Sequence, residues 1–351
     1  MIFHIIGILN MDDNSGLINW NKICDNLVTS KTPLRISFAG GGTDLYDYWS
    51  KKGGLVVSAA INKYLYVSIK KHAEIFEESY RLNYSQIELA NQISDINNII
   101  VRGCLEYLQH HGKLFVATIS DLVSGSGLGS SSSFCVGLLN CLSHACGEKK
   151  SSGELAYLSN EIEINHLKRP MGKQDAFPAA YGGLNKIKFE KDGSVLVSRI
   201  GISNKNLHLL NKSLCIVFTG KLRESNTILK KQQQLTQSNQ NSNSLDLIKS
   251  HAEEMIEMLE HNFSLKSMGN YLNKTWYEKL KISDNISNYA LDNLHTKILK
   301  SGALGAKLSG AGGGGFFLTI VEDEYYETFR EKMSSNYVEK IQITGEGSSI
   351  I

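Results

Sequence analysis

Gly125, Gly127 and Gly129, followed directly by Ser130, Ser131, Ser132 and Ser133, stand between two apolar stretches, and few folds place such a run there. Upstream, Leu114 to Ile119 has the composition of a strand; downstream, Val136 to Ala145 suits a helix. Glycines let a backbone take positive φ and approach a ligand closely. A helix that follows points its unpaired N–H groups, and the positive end of its dipole, at the same spot. Gly125, Ser126, Gly127, Leu128 and Gly129 with the four serines thus read as an anion site, most simply for a phosphate. A flexible Gly/Ser linker is the plain alternative, but linkers are not normally wedged between two apolar elements.

The loop lacks Gly-Lys-Ser/Thr, so it is not a P-loop. As a dinucleotide fingerprint it is also poor, because the acidic residue about twenty positions on, Glu148, falls in a polar turn. That argues against an oxidoreductase.

At 351 residues the chain is expected to hold two domains. A formal charge of +2 advertises neither nucleic acid nor a membrane as partner. Six cysteines without a CxxC pair read as reduced, mostly buried thiols. The apolar run Ile5 to Leu9 lacks a basic flank and is far short of the roughly 20 residues that span a bilayer. Residues 1–30 read as an extension without catalytic role, and a cytoplasmic protein, monomeric or homodimeric, is expected.

Strands are expected at 35–39, 55–61 and 64–69, the last two as a hairpin about Asn62-Lys63. A helix over 96–111 precedes the strand and loop already described, and another covers 154–167. Strands at 184–190 and 194–200 flank a turn at Lys191-Asp192-Gly193. Beyond a boundary near 200–212 come a strand at 214–219, a helix to Leu235 and a Gln/Asn/Ser-rich tract, 230–244, expected to hold a solvated helix end and a mobile loop. Helices at 245–261, 265–279 and 284–301, strands at 304–308 and 315–320, a helix at 323–335 and a strand at 339–343 complete the chain.

Three further segments carry chemistry. In Thr32-to-Asp44 a strand ends in Gly40-Gly41-Gly42, then Thr43 and Asp44; Asp44 would accept substrate hydroxyls or cap the next helix. Arg35 sits within the apolar strand, where an unpaired charge is expensive, so it needs a carboxylate or phosphate partner. Glu163 and Asp175 would lie about 18 Å apart on one unbroken helix, but Pro170-Met171-Gly172 provides a break that folds Asp175 back. Two carboxylates near a phosphate loop suit Mg²⁺ binding and activation of a hydroxyl; solvated helix carboxylates are the alternative. His166 lacks a partner at metal-ligand spacing. The last segment, Gly305 to Phe317, is glycine-rich enough to buttress the phosphate loop or to form a simple hairpin.

Together these motifs, over residues 32–345, resemble the GHMP kinases. Gly-Gly-Gly-Thr-Asp, Gly-Lys-Gln-Asp and Lys-Leu-Ser-Gly-Ala-Gly-Gly-Gly-Gly-Phe are most similar to its heptose 7-phosphate kinase branch. The resemblance implies an α+β fold: a ribosomal-protein-like N-terminal domain, here 31–205, and a ferredoxin-like C-terminal domain, 206–351. It implies ATP bound at Gly125 to Ser133 and Mg²⁺ held by Ser131 and Glu163. Asp175 would be the base that receives the substrate proton, and Arg35 the cation beside the γ-phosphate. Asp44, with Thr43 and Gly42, would bind the sugar. Lys168, Arg169, Lys173 and Arg223 could meet a substrate phosphate, with Lys173 and Arg223 taken as the substrate-binding pair. The implied reaction is transfer of phosphate to the anomeric hydroxyl of a heptose 7-phosphate, on the way to nucleotide-activated heptose and surface polysaccharide. Gly40-Gly41-Gly42 departs from the Gly-Glu-His-type sequence usual in galactokinase- and mevalonate-kinase-type members. A kinase for fucose or galactose, and a non-catalytic sensor on the same fold, are the rival readings.

Overall fold

Strand-forming runs assemble into two sheets in the computed structural model, which describes residues 4–6, 20, 23–222 and 225–351. The first holds β1 (His4–Ile6), β2 (Val28–Ala39), β3 (Gly54–Lys71), β4 (Tyr80–Asn83), β5 (Ile87–Ala90), β6 (Leu114–Ser120), β7 (Leu184–Phe189) and β8 (Val195–Arg199). Its path runs β1-β8-β7-β3-β6-β4-β5, with β2 also paired to β3. The second holds β9 (Leu214–Phe218), β10 (Gly305–Leu308), β11 (Phe316–Ile320) and β12 (Val338–Lys340) in the order β10-β11-β9-β12, all antiparallel. Read by sequence rank that order is second-third-first-fourth, the ferredoxin-like arrangement. A last strand, β13 (Ser349–Ile350), returns to pair with β2, so the chain crosses back to the first sheet after completing the second.

Helices α1 (Tyr46–Lys52), α2 (Ile99–Tyr107), α3 (Ser130–Ala145), α4 (Ser152–Asn160) and α5 (Ala176–Tyr181) accompany the first sheet. Next come α6 (Asn204–Ser213), α7 (Ser225–Gln237), α8 (Ser242–His261), α9 (Leu265–Leu280), α10 (Tyr289–Lys300) and α11 (Tyr326–Lys332). The organising helix is α3. Cys135, Val136, Leu138, Leu139, Cys141 and Leu142 are all fully buried, and a helix apolar on every side belongs inside the protein. It packs on β2 and β3 with α2, α4 and α5 around it. Fully burying each leucine contributes about 1.5–3 kcal/mol, so the helix that begins at the serines is firmly anchored. A second core surrounds Trp276, whose ring meets Phe317 edge-on at 5.7 Å.

Several expectations change. No hairpin forms at Asn62-Lys63, because β3 runs unbroken through it. Asn-Lys lacks the glycine that a tight hairpin turn favours, and the two halves of β3 take different partners: Gly54–Ala59 pairs β7, Leu65–Lys71 pairs β6. At the switch, Asn62 N donates to Gln342 O (2.8 Å), so the C-terminal tail fills the gap. The helix expected over 154–167 is α-helical only to Asn160; a π-helical turn, Glu161–His166, follows. The Gln/Asn/Ser-rich tract holds the expected helix end, that of α7, but in place of a loop it continues as a turn at 238–241 and the start of α8. Gln232, Thr236 and Asn241 are buried there, with Asn241 Nδ2 donating to Thr236 Oγ1 at 3.1 Å. Most of the first thirty residues lie outside the described ones. Of those described, β1 pairs β8, and Trp20 Nε1 donates to Leu108 O at the end of α2.

Candidate active site

The phosphate-type loop has the backbone its glycines allow. Gly125, Gly127 and Gly129 have φ of +74°, +82° and +75°, values that L side chains rarely adopt. Gly129 caps α3, which starts at Ser130 rather than at Val136, and no side chain caps it. The first-turn N–H groups therefore face the cleft with no carbonyl before them. A Cβ on Gly129 would lie 2.8 Å from Arg35 Cγ, so the loop is pressed against that arginine. On its other side the loop is held by the second glycine-rich segment. Phe316 N donates to Ser126 O (3.2 Å), and a Cβ on Gly315 would stand 2.2 Å from that oxygen. The late glycines thus buttress the early ones across the two sheets.

Arg35 lies where the register of β2 against β3 shifts, between Pro33 and Arg35, and its N donates to Leu128 O (3.0 Å) on the side away from β3. The guanidinium, 4% exposed, forms a fork with Asp175: Nε donates to Oδ1 at 2.8 Å and Nη2 to Oδ2 at 2.6 Å. Its Nη1 donates to Gly127 O at 2.6 Å. One arginine therefore ties the phosphate loop to a carboxylate that lines the cleft. Two-toothed charged pairs of this kind fix geometry as well as adding energy.

Glu163 is fully buried, on the π-helical turn. The widened turn, where Leu167 N donates to Ile162 O, five residues back, precedes Pro170. Ser131 Oγ and Ser132 Oγ each donate to the carboxylate at 2.7 Å, Ser159 Oγ donates at 3.3 Å, and Arg169 pairs with it. Burial pushes Glu163 above the usual carboxylate range, while Arg169 and the two serines pull it down and Asp175 pushes it up. That coupling places both carboxylates in one field, as the proline break required. Ser131 Oγ and Glu163 Oε1, hard oxygens in hydrogen-bond contact, are both bridged by one nitrogen of Arg169. A cation already stands between them, so this donor set fits Mg²⁺.

The cleft is a cavity of about 600 Å³, within the range of small-molecule sites. Beyond Arg35 its wall is formed by Ser37, Gly42, Asp44, Gln174, Thr275 and Lys307. Asp44 is buried and accepts from Gly42 N (2.8 Å) and Gln174 N (3.2 Å); burial raises it above the usual range. It caps no helix, since α1 has Leu45 at that position without a side-chain bond. Ser37 Oγ, Gln174 Oε1 and Thr275 Oγ1 are buried and make no hydrogen bond among the described residues. Buried polar atoms are nearly always bonded, and these three unpartnered ones belong to residues that line the cleft. Lys307 donates to Ser37 O at 2.7 Å; burial, with Arg35 nearby, pushes it down to about 7. Tyr84, Asn97, Asn98, Ile99 and Thr118 also line the cleft.

Some expected site residues do other work. Thr43 is fully buried, its hydroxyl donating to Gly40 O and Leu55 O, and does not line the cleft. Lys173 points away: Nζ donates to Gly193 O (3.1 Å) and lies 4.2 Å from the centre of the Trp49 ring. Ser133 donates to Pro33 O at 2.8 Å, and its N–H already bonds Gly129 O, so it serves the helix rather than the loop. Ser126 and Leu128 are buried behind the loop surface; Leu128 contributes the carbonyl that Arg35 N uses. Ser130, Ser131 and Ser132 line the cleft with Gly125, Gly127 and Gly129, and Gly42 and Asp44 line it too. Arg223 lies outside the described residues. Lys307 carries a signal in the sequence: a lysine within an apolar strand needs a reason as much as Arg35 does. Thr275 and the Tyr84–Asn98 wall carry no local signal.

Comparison with known proteins gives two family matches, GHMP kinases N terminal domain over residues 98–183 and GHMP kinases C terminal over 252–339. The D-glycero-alpha-D-manno-heptose 7-phosphate kinase of Campylobacter jejuni is 29% identical over 91% of this chain and 97% of its own. A galactokinase of Pyrococcus furiosus is 26% identical, covering 89% of this chain and 94% of that one. The crystal structure of a D-glycero-D-manno-heptose 1-phosphate kinase from Bacteroides thetaiotaomicron superposes with a TM-score of 0.74 at 23% identity. It covers 92% of this chain and 98% of that one, and shares its fold. Among the described residues no helix is long and apolar enough to cross a membrane.

Proposed function

This chain belongs to the GHMP kinases and is a sugar kinase, a phosphotransferase with an alcohol acceptor, and we propose that it moves the γ-phosphate of Mg²⁺-bound ATP to the anomeric hydroxyl of a heptose 7-phosphate. The observation that carries the reading is the Arg35–Asp175 fork tied to Gly127. It holds a carboxylate for the acceptor hydroxyl and a cation for the transferred phosphate in fixed relation to the loop. The named relative in Campylobacter jejuni supports the choice of sugar.

Each residue then has a role set by where it stands. The N–H groups of Ser130 to Ser132 and the open glycine backbone receive the phosphates; the Tyr84–Asn98 wall is left for the base. Asp175 takes the acceptor's proton, a contribution of about 10²- to 10⁴-fold. Arg35 stabilises charge gathering on the transferred group, and positioning supplies much of the rest. Ser131 and Glu163 would hold Mg²⁺, which neutralises phosphate charge when bound. Asp44, Gln174, Ser37 and Thr275 orient the sugar.

Turnover of ATP across a panel of sugars and sugar phosphates tests this. Heptose 7-phosphate should exceed free heptose, galactose and fucose by at least tenfold in kcat/KM. A neutral-sugar kinase is the second reading, favoured by Lys173 turning away and Arg169 being engaged with Glu163. Equal efficiency with and without the 7-phosphate would select it. A heptose product would feed a nucleotidyl-activation route to surface polysaccharide.

A further inference from the structure

We propose that Arg169 is a resident counter-cation: it holds the Ser131–Glu163 pair while the cleft is empty and is displaced when metal arrives with the nucleotide. The inference rests on the kinase reading above. It adds that metal entry and release of this guanidinium are one event.

Three observations carry it. One nitrogen of Arg169, Nη1, contacts both Ser131 Oγ and Glu163 Oε1, the two oxygens that fit the metal. Mg²⁺ takes hard oxygen ligands at close range, so a metal held by this pair would compete with that nitrogen for the same two oxygens. The two cations exclude each other. Glu163, fully buried, nonetheless needs one of them, because an ionised carboxylate without a counter-charge is costly in the interior.

Secondly, Arg169 is held less completely than Arg35. Arg35 uses Nε, Nη1 and Nη2. Arg169 bonds here through Nη1, and its Nε is buried without a hydrogen bond among the described residues. The fork that makes arginine a firm partner is not used.

Thirdly, the backbone leading into Arg169 is irregular. The π-helical turn ends at His166, and Lys168 has a φ of +51°. π-turns and left-handed non-glycine residues concentrate at functional and switching sites. Arg169 also lines the cleft beside Ser130 and Ser131, so a guanidinium leaving Glu163 has phosphate oxygens next to it. The exchange keeps Glu163 neutralised and adds a cation to the transferred phosphate.

Binding of Mn²⁺ alone, without nucleotide, followed by electron paramagnetic resonance, tests the exclusion. Arg169→Gln should bind Mn²⁺ at least tenfold more tightly than wild type, and Glu163→Gln in the same background should abolish the gain. Equal Mn²⁺ affinity in wild type and Arg169→Gln would overturn the proposal, as would a gain that survives Glu163→Gln. Should Arg169→Gln not fold, a crystal structure of the wild-type protein with ADP and Mg²⁺ decides. Metal on Ser131 and Glu163 with Arg169 off the carboxylate is the expected result. Nucleotide bound with Arg169 still on Glu163 sinks this inference alone, whereas no nucleotide in the cleft sinks the kinase reading with it.

Discussion

The two ends of the cleft are built on opposite terms. Around the glycine loop the charges are already paired: Arg35 with Asp175, Arg169 with Glu163, each further tied to Gly127 or to serine hydroxyls. Around Asp44 the wall keeps neutral buried groups without partners, Ser37 Oγ, Gln174 Oε1 and Thr275 Oγ1, beside a lysine pushed down to about 7, whereas the unbonded atoms near the loop, Ser126 Oγ and Arg169 Nε, stand behind its surface or within an ion pair. A site that binds a fixed chemical group, a polyphosphate, can be preorganised with its charges satisfied. A site that must recognise one sugar among many gains discrimination by leaving bonds for the right ligand to complete, because a wrong ligand leaves buried polar atoms unpaired.

The sharpest way to break this contrast is at Asp175. Replacement by Asn should lower kcat by about 10²- to 10⁴-fold while calorimetry finds nucleotide still bound; near-normal turnover would remove the base from the scheme. Next in size is Glu163→Ala, which leaves Arg169 and the hydroxyls of Ser131 and Ser132 without their carboxylate. Breaking a buried pair by removing one partner costs about 3–5 kcal/mol, to be read from denaturant melts; a change below 1 kcal/mol would mean the pair is not preorganising anything.

Gly129→Ala introduces a Cβ at positive φ against Arg35 Cγ. The strain is of order 1–3 kcal/mol, and nucleotide affinity should fall while sugar affinity does not. Unchanged nucleotide affinity would separate the loop from the phosphate.

At the other end, Lys307 gives a pH signature. Its pKa is lowered on folding from 10.5 to about 7, so between those values the unfolded chain binds more protons. Stability from this group therefore rises with pH from about 7 towards 10. Lys307→Met should lose that rise in a series of thermal melts, and an identical pH profile would show that the ammonium is not desolvated. Smallest is Thr275→Val, which removes a hydroxyl with no partner. Stability should be unchanged or slightly higher, and KM for the acceptor should rise several-fold, equivalent to about 0.5–1.5 kcal/mol. A shift in nucleotide KM instead would blur the division between the two ends.

Much of the phosphate end was readable from residues alone, because glycine spacing, a charge inside an apolar strand and a proline break each have one main physical meaning. Arg35 needed a partner and the chain contains Asp175 after a break. What could not be read was which partner it took, since sequence distance does not say which carboxylate the fold brings to Arg35. The hairpin at Asn62-Lys63 failed for a related reason. Local alternation cannot distinguish two strands from one long strand whose halves pair different neighbours.

The sequence by itself determined the positive-φ loop, the buried helix behind it and the need to neutralise Arg35, which follow from backbone sterics, apolar composition and the expense of a lone charge. The α+β fold was implied by the resemblance to the GHMP kinases. Only the tertiary structure decided that Lys173 faces the Trp49 ring, that Thr43 serves the backbone, that Arg169 occupies the Ser131–Glu163 pair and that Thr275 meets Ser37 across one cavity. Such outcomes depend on which surfaces of two sheets meet, and residues from 37 to 307 carry no local record of that meeting.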